Sequence, residues 1–161
     1  MTSKFEKIIF RRLFEKSSYK PIEYKNKTIY PYDDFYLKKN QQRLKFILES
    51  TNSKYLQAID ITVDGSIVVN KQKVDNGILL REDTLPSSEI LFEVVSKKRK
   101  IRIKNVTIWR KSNNKIMVSP DDGSAMIVEE LPDNKGKRYR CNDVMADDDF
   151  DDLIFRIEYV E

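Results

Sequence analysis

The sequence predicts an α+β protein in which two N-terminal helices precede an antiparallel β-sandwich or flattened barrel. Apolar residues of the first fifty positions recur at helical spacing, whereas from Tyr55 onward they alternate with polar residues. All four glycines fall in this second part, in sequences such as Asp64-Gly65 and Asn76-Gly77. Such dipeptides supply the positive φ of tight hairpin turns, so they predict turns between successive strands.

Two amphipathic helices are expected before residue 53. Phe5 and Leu13 belong to a stripe that predicts a helix over about residues 3–16. A second stripe, which includes Leu44, predicts a helix over about residues 34–50. The cationic residues expected on its outer face are Lys38, Lys39, Arg43 and Lys45.

One domain is expected over residues 1–161, with a helical part over 1–52 and an antiparallel β part over 53–161. The β part contains ten expected strands, too many for a small open sheet, which favours a sandwich or barrel. Within the β part the apolar phase slips at Asn105, which predicts a bulge or turn there. Strands are expected near 55–63, 66–71, 78–82, 89–96, 100–104, 106–111, 115–119, 125–130, 137–141 and 153–160.

Composition excludes several functional classes. The chain has no histidine and one cysteine, Cys141, so Ser-His-Asp and Cys-His catalysis, a disulfide within the chain and a Cys/His zinc cluster are all excluded. Phosphate-binding Gly-rich loops and nucleophile-elbow motifs are also missing, so we expect no enzymatic activity. No apolar run approaches ~18 residues and no signal segment is evident, which predicts a cytoplasmic protein without a transmembrane segment.

The acidic segment near the C-terminus is the first candidate site. Asp147, Asp149 and Asp151 alternate along it and are followed by Asp152, so much like charge lies in one turn. A curled loop would bring alternate carboxylates together as hard oxygen ligands, which calcium prefers. The alternative is a solvated acidic turn or a mate for a basic surface.

The segment 147–154 resembles the calcium-binding segment of the two-calcium fucose/mannose-binding bacterial lectins, which reads Asp-Asn-Asp-Tyr-Asn-Asp before a hydrophobic strand. The likeness covers about eight to twelve of the 161 residues. It implies that Asp147, Asp149, Asp151 and Asp152 are calcium ligands, with carbohydrate or a protein as the partner.

The basic segment is the second candidate site. Residues 97–115 contain nine Lys and Arg and no acidic residue, and residues 97–111 are expected to form a basic hairpin. Cations on such a hairpin could follow the phosphates of a nucleic acid or bind an acidic partner. Alternatively they protect an edge strand from aggregation, or pair with the acidic segment within the chain or in a homo-oligomer. The candidate residues are Lys97, Lys98, Arg99, Lys100, Arg102 and Lys104.

Overall fold

The computed structural model describes residues 10–110, 116–119, 124–143 and 149–161. Within these ranges most of the chain is in antiparallel strands, with one short α-helix and one 3-10 turn. The helix α1 is Phe10–Lys16 and the 3-10 turn is Pro132–Asn134. The strands are β1 Ile22–Tyr24, β2 Lys27–Ile29, β3 Asp33–Tyr36, β4 Gln41–Thr51, β5 Leu56–Val69, β6 Gln72–Arg81, β7 Glu89–Arg110, β8 Ile116–Ser119, β9 Ala125–Glu130, β10 Gly136–Asn142 and β11 Leu153–Val160.

Nine of the described strands form one sheet, and β1 and β2 form a separate hairpin. The main path through the sheet is β6-β5-β7-β4-β11-β10-β9, and β3 and β8 also pair with β7. β7 has 22 residues and changes partner along its length. Its first part lies between β4 and β5, residues 101–103 lie between β3 and β5, and its last residues pair with β8. No helix of the described ranges is long and apolar enough to cross a membrane.

The expected α+β class with two N-terminal helices is wrong, because the described chain is mostly sheet. Residues 34–50, predicted to be helical, belong to β3 and β4. Gln42, Leu44 and Phe46 are buried and alternate with more exposed neighbours, the two-residue period of a strand. β4 pairs with β7 on one side and β11 on the other, and this long-range pairing overrides the local helical stripe. Of the helix expected over 3–16, residues 3–9 lie outside the described ranges, and residues 10–16 form α1.

The predicted glycine turns are also wrong at two positions. Gly65 and Gly77 lie inside β5 and β6, beside a register shift, instead of in the turn between those strands. A Cβ on Gly65 would lie 1.9 Å from the carbonyl oxygen of Val95, and φ is +149°. The turn itself is formed by Asn70 and Lys71, both with positive φ. Glycine is therefore required for close approach of strands in a bent sheet.

Strands from both ends of the sheet contribute to one core, since Leu80 of β6 and Met126 of β9 belong to the same apolar cluster. At one end of the core, the Asn105 side chain donates from Nδ2 to the carbonyl of Asn142, 2.8 Å away. This contact links β7 to β10 across the interior, and Asn105 is fully buried.

The pairing of β7 with β5 is continuous through Asn105, so the bulge or turn predicted at this residue is wrong. The alternation of apolar and polar residues is interrupted because Asn105, a polar residue, points into the core.

A polar triad of Asp33, Tyr139 and the half-buried Lys137 borders the same core. Asp33 Oδ2 accepts hydrogen bonds from the Tyr139 hydroxyl at 2.7 Å and from Lys137 Nζ at 3.0 Å. Tyr139 is fully buried and stacks on Phe155, with ring centroids 4.8 Å apart. Burial and the negative charge of Asp33 raise the pKa of Tyr139 well above its ordinary value. The triad therefore ties β3 to β10 with a neutral phenol and an ion pair.

The helix α1 packs against β9, at one end of the sheet. Phe10 and Phe14 of α1 pack in a second apolar cluster with Ile29, Ala125 and Phe150. The rings of Phe10 and Phe150 are 6.0 Å apart. This cluster anchors the middle of the acidic segment, because Phe150 lies between its aspartates.

Candidate functional site

Residues 97–100 form a bulge in β7 where a hairpin was predicted. β7 is one continuous strand from Glu89 to Arg110, so the expected hairpin over 97–111 is wrong in its described part. Ser96 pairs with Gly65 and Ile101 pairs with Val63, which leaves four residues of β7 opposite the single Asp64 of β5. Arg99 adopts a positive φ of 53° at this point. The extra residues protrude from an otherwise regular ladder.

Asn40 braces the bulge from the neighbouring turn between β3 and β4. Its Nδ2 donates to the carbonyls of Ser96 at 2.9 Å and Lys97 at 3.3 Å. Its Oδ1 accepts from Arg99 Nε at 3.0 Å. On the inner side, Ser96 Oγ donates to the carbonyl of Lys100 at 3.1 Å. Backbone groups that the bulge removes from the ladder are thereby satisfied, so the loop has a defined shape.

The turn that carries Asn40 brings two further lysines to the bulge. The Leu37 amide donates to the Arg99 carbonyl at 2.9 Å and the Ser96 amide to the Asn40 carbonyl at 2.8 Å, so residues 37–40 lie against residues 96–99. We call the combined area the basic bulge surface. Apart from the half-buried Lys100, its cationic residues are exposed. They are Lys38, Lys39, Lys97, Lys98, Arg99, Lys100 and Arg102.

Sequence reasoning did not place Lys38 and Lys39 in this surface, because it assigned them to a helix. The signal that could have found them is the short polar run Lys38-Lys39-Asn40 between two alternating segments, which is typical of a hairpin turn. Lys104, also a predicted site residue, lies further along β7 and opposite Asp60. Burial raises the pKa of Asp60, and the charge of Lys104 partly offsets that rise.

Asp34 is the carboxylate that orients the cations beside the bulge. On the outer face of the sheet, Arg102 Nε lies 3.0 Å from Asp34 Oδ1 and Lys100 Nζ lies 3.5 Å from Oδ2. Partial burial raises the pKa of Asp34, but the hydrogen bond and charge of Arg102, together with Lys100, outweigh it and hold that pKa below its usual value. The guanidinium of Arg102 also lies over the Tyr32 ring, 3.8 Å from its centroid. Asp34 therefore stays ionised and fixes both cations.

A groove of about 410 Å³ runs along this outer face. It lies where β3, β7 and β5 are side by side, and the basic residues come from β7, the middle strand of the three. Because Asp34 and Asp64 also line it, the groove is not uniformly cationic. Its lining residues are Asp34, Thr62, Val63, Asp64, Lys98, Lys100 and Arg102.

The position of β7 bears directly on why the cations are there. Lys100 and Arg102 pair with Tyr36 and Asp34 of β3, and Arg102 pairs on its other side with Thr62 of β5. A strand paired on both sides has no free edge to protect. Edge protection therefore does not explain the charge of Arg102, although it was the simplest alternative for a lysine-rich run. Lys97, Lys98 and Arg99 lie in the bulge, outside the ladders that β7 forms with β3, β4 and β5.

The acidic segment is only partly described, since Asp147 lies outside the described residues. Asp149 is exposed, and Asp151 Oδ2 accepts a hydrogen bond from Asn52 Nδ2 at 3.0 Å. Asp152 is buried, and its Oδ2 accepts from the Asp143 amide at 2.9 Å. Asp143, which sequence reasoning did not select, is also buried and accepts from the Ser53 hydroxyl.

In this arrangement the Asp152 carboxylate is hydrogen-bonded to the backbone just after the end of β10. In the part of the chain that the structure describes, no group of three or more Asp, Glu, His or Cys side chains could hold a metal ion. Calcium binding by Asp147, Asp149, Asp151 and Asp152 stays a prediction.

Comparison with known proteins identifies no relative of this chain: no protein-family model, no curated protein and no solved structure matches it. Its function is therefore argued from the site alone.

Proposed function

We propose that this chain is a non-enzymatic binding module whose basic bulge surface binds a polyanionic partner rich in phosphate. The observation that supports the proposal best is the position of the cations. They lie on a bulge of an interior strand and on the turn next to it, and sheet-edge protection does not explain Arg102, which is paired on both sides.

The electrostatics of the surface support phosphate binding. The turn 37–40 is hydrogen-bonded through its backbone to residues 96–99, and such neighbouring backbones are about 4.8 Å apart. The backbones that carry the lysines of the turn and the cations of the bulge are therefore closer than one Debye length, about 8 Å at physiological ionic strength. Their potentials therefore add, and a polyanion that replaces its counterions with these cations gains affinity. Asp34 reduces the local charge, but it orients Lys100 and Arg102 toward the groove.

A calcium-dependent carbohydrate module based on the acidic segment is the weaker proposal. Asp152 is turned toward the Asp143 amide, and Phe150 anchors the segment in an apolar cluster. These contacts explain the two residues as parts of the fold. The remaining support for calcium is the sequence resemblance, so we keep it as a prediction with its own test.

The test is the salt dependence of binding in a charge-reversal variant. Lys39→Glu with Lys98→Glu changes two exposed residues of the surface and leaves Arg99, which braces the bulge, in place. A matched control, Lys71→Glu with Lys73→Glu, makes the same charge change at exposed positions in and beside β6. Binding of a fluorescein-labelled oligonucleotide, followed by polarisation over a salt series, reports both affinity and slope.

We expect the unmodified chain to lose affinity steeply with salt, with a log–log slope of about 0.7 to 0.9 per neutralised phosphate. The surface variant should flatten that slope by about one to two phosphates and the control variant by much less. Equal slopes in the two variants, or no salt-sensitive binding by the unmodified chain, would contradict the proposal.

A further inference from the structure

Tyr36 is an exposed aromatic residue set among the cations of the basic bulge surface. Its neighbours Phe35 and Leu37 are buried, whereas Tyr36 is 61% exposed. Because side chains alternate along a strand, Tyr36 shares the outer face of β3 with Asp34. A large aromatic residue with this exposure offers a ring face to solvent.

The backbone of Tyr36 is held firmly although its ring is exposed. It pairs with Lys100 in the sheet, and its carbonyl accepts a hydrogen bond from the Tyr159 hydroxyl at 2.5 Å. The next residue, Leu37, donates its amide to Arg99. Because the backbone is already held, a ligand that packs on the ring restricts only its two side-chain torsions, which costs little conformational entropy.

Cations lie on the flanks of this ring. Lys100 is its partner across the ladder, and Arg102 occupies the next outward position along β7. Lys38 follows two residues later in the chain, with Nζ 4.4 Å from the centroid of the Tyr159 ring. The Tyr32 ring, by contrast, is already covered by the Arg102 guanidinium. Tyr36 is thus an exposed ring within a row of positive charges.

From this arrangement we infer that the polyanion is a single-stranded nucleic acid and that one of its bases stacks on Tyr36; the inference rests on the proposed function. Phosphates on either side of the stacked base would contact Lys100, Arg102 and Lys38. Single-strand binding characteristically combines a cationic track with aromatic stacking faces. A duplex hides its base faces in the helix, and an acidic peptide has no base to stack, so neither uses the ring.

The experiment compares Tyr36→Ala with Tyr36→Phe, since phenylalanine keeps the stacking face and removes only the hydroxyl. The probes are a fluorescein-labelled single-stranded oligothymidylate, a duplex of the same length, and polyglutamate as competitor. We expect Tyr36→Ala to weaken single-strand binding between about fivefold and 150-fold, the range of one base stack. Tyr36→Phe should bind like the unmodified chain, and the salt slope should be unchanged in both variants.

Each other outcome has a defined meaning. If Tyr36→Ala binds the single strand normally, or the duplex binds as tightly as the single strand, the inference is overturned while the salt test of the surface can still succeed. Polyglutamate that displaces the oligonucleotide at equal charge concentration would also overturn it, in favour of an acidic protein partner. If Tyr36→Phe also loses binding, the hydroxyl and not the ring face makes the contact, and the stacking inference is overturned. A thermal melt of Tyr36→Ala identifies any loss of fold.

Discussion

Tyr139→Phe should destabilise the fold by removing one hydrogen bond from the buried carboxylate of Asp33. The ring packing on Phe155 is kept, because phenylalanine has the same shape without the hydroxyl. The lost bond is 2.7 Å long and is accepted by a charged group, and such bonds contribute about 1.5–3 kcal/mol. Lys137 continues to pair with Asp33, so the carboxylate is not left alone. For a chain of this length that loss corresponds to a fall in melting temperature of about 3–12 °C.

Urea unfolding followed by circular dichroism measures the effect directly. The midpoint should fall and the denaturant slope should stay the same, because the surface exposed on unfolding does not change. Tyr36→Phe is the matched control: it removes a hydroxyl from an exposed ring, and we expect a change within about 0.5 kcal/mol. A loss below about 0.5 kcal/mol in Tyr139→Phe would refute the reasoning, since the hydrogen bond would then contribute nothing net.

Two further predictions concern the charged groups. Asp34→Asn should bind an oligonucleotide more tightly, because Lys100 and Arg102 lose their carboxylate, while stability falls by no more than about 1 kcal/mol for these exposed ion pairs. The pKa of Asp34 is lowered in the fold, so its ionised form stabilises the fold above the ordinary carboxyl pKa, and this contribution disappears as pH falls through the lowered value. The free energies of unfolding of the variant and the unmodified chain should therefore become equal in strong acid. Calcium should raise the melting temperature, because at a hundredfold excess over Kd it would add about 2.7 kcal/mol to the free energy of unfolding. Asp149→Ala or Asp151→Ala should remove this rise. A melt that is the same in millimolar calcium and in chelator would end the calcium prediction.

Strands with a clear two-residue period could be located from sequence, and β9 and β11 lie where they were expected. β4 could not, because Leu44, Ile47 and Leu48 also fit a helical stripe. Only its pairing with β11 and β7, which is invisible in the local sequence, decides between the two. The same limit applies to Gly65, whose Asp-Gly sequence indicates a turn but whose position beside Val95 makes it part of a bulge.

The candidate surface was predicted in part. The charge of residues 97–104 was evident, but its meaning depended on whether the strand lies at an edge or in the interior of the sheet. That distinction comes from the register with β3 and β5. Neither the contribution of Lys38 and Lys39 nor the placement of Tyr36 among the cations could be derived while residues 34–50 were interpreted as a helix.

The pairing of β4 with β11 has a consequence for the speed of folding. Arg43 pairs with Val160, and Leu44 with Tyr159, so this ladder closes a loop of most of the chain. The hairpin of β5 and β6 is local by comparison, with Val69 opposite Gln72. Chains dominated by such distant pairings fold in milliseconds to seconds, since loop-closure entropy must be overcome before the contacts stabilise the product. We therefore expect the β5–β6 hairpin to form early and the docking of β4 against β11 to limit the rate of refolding.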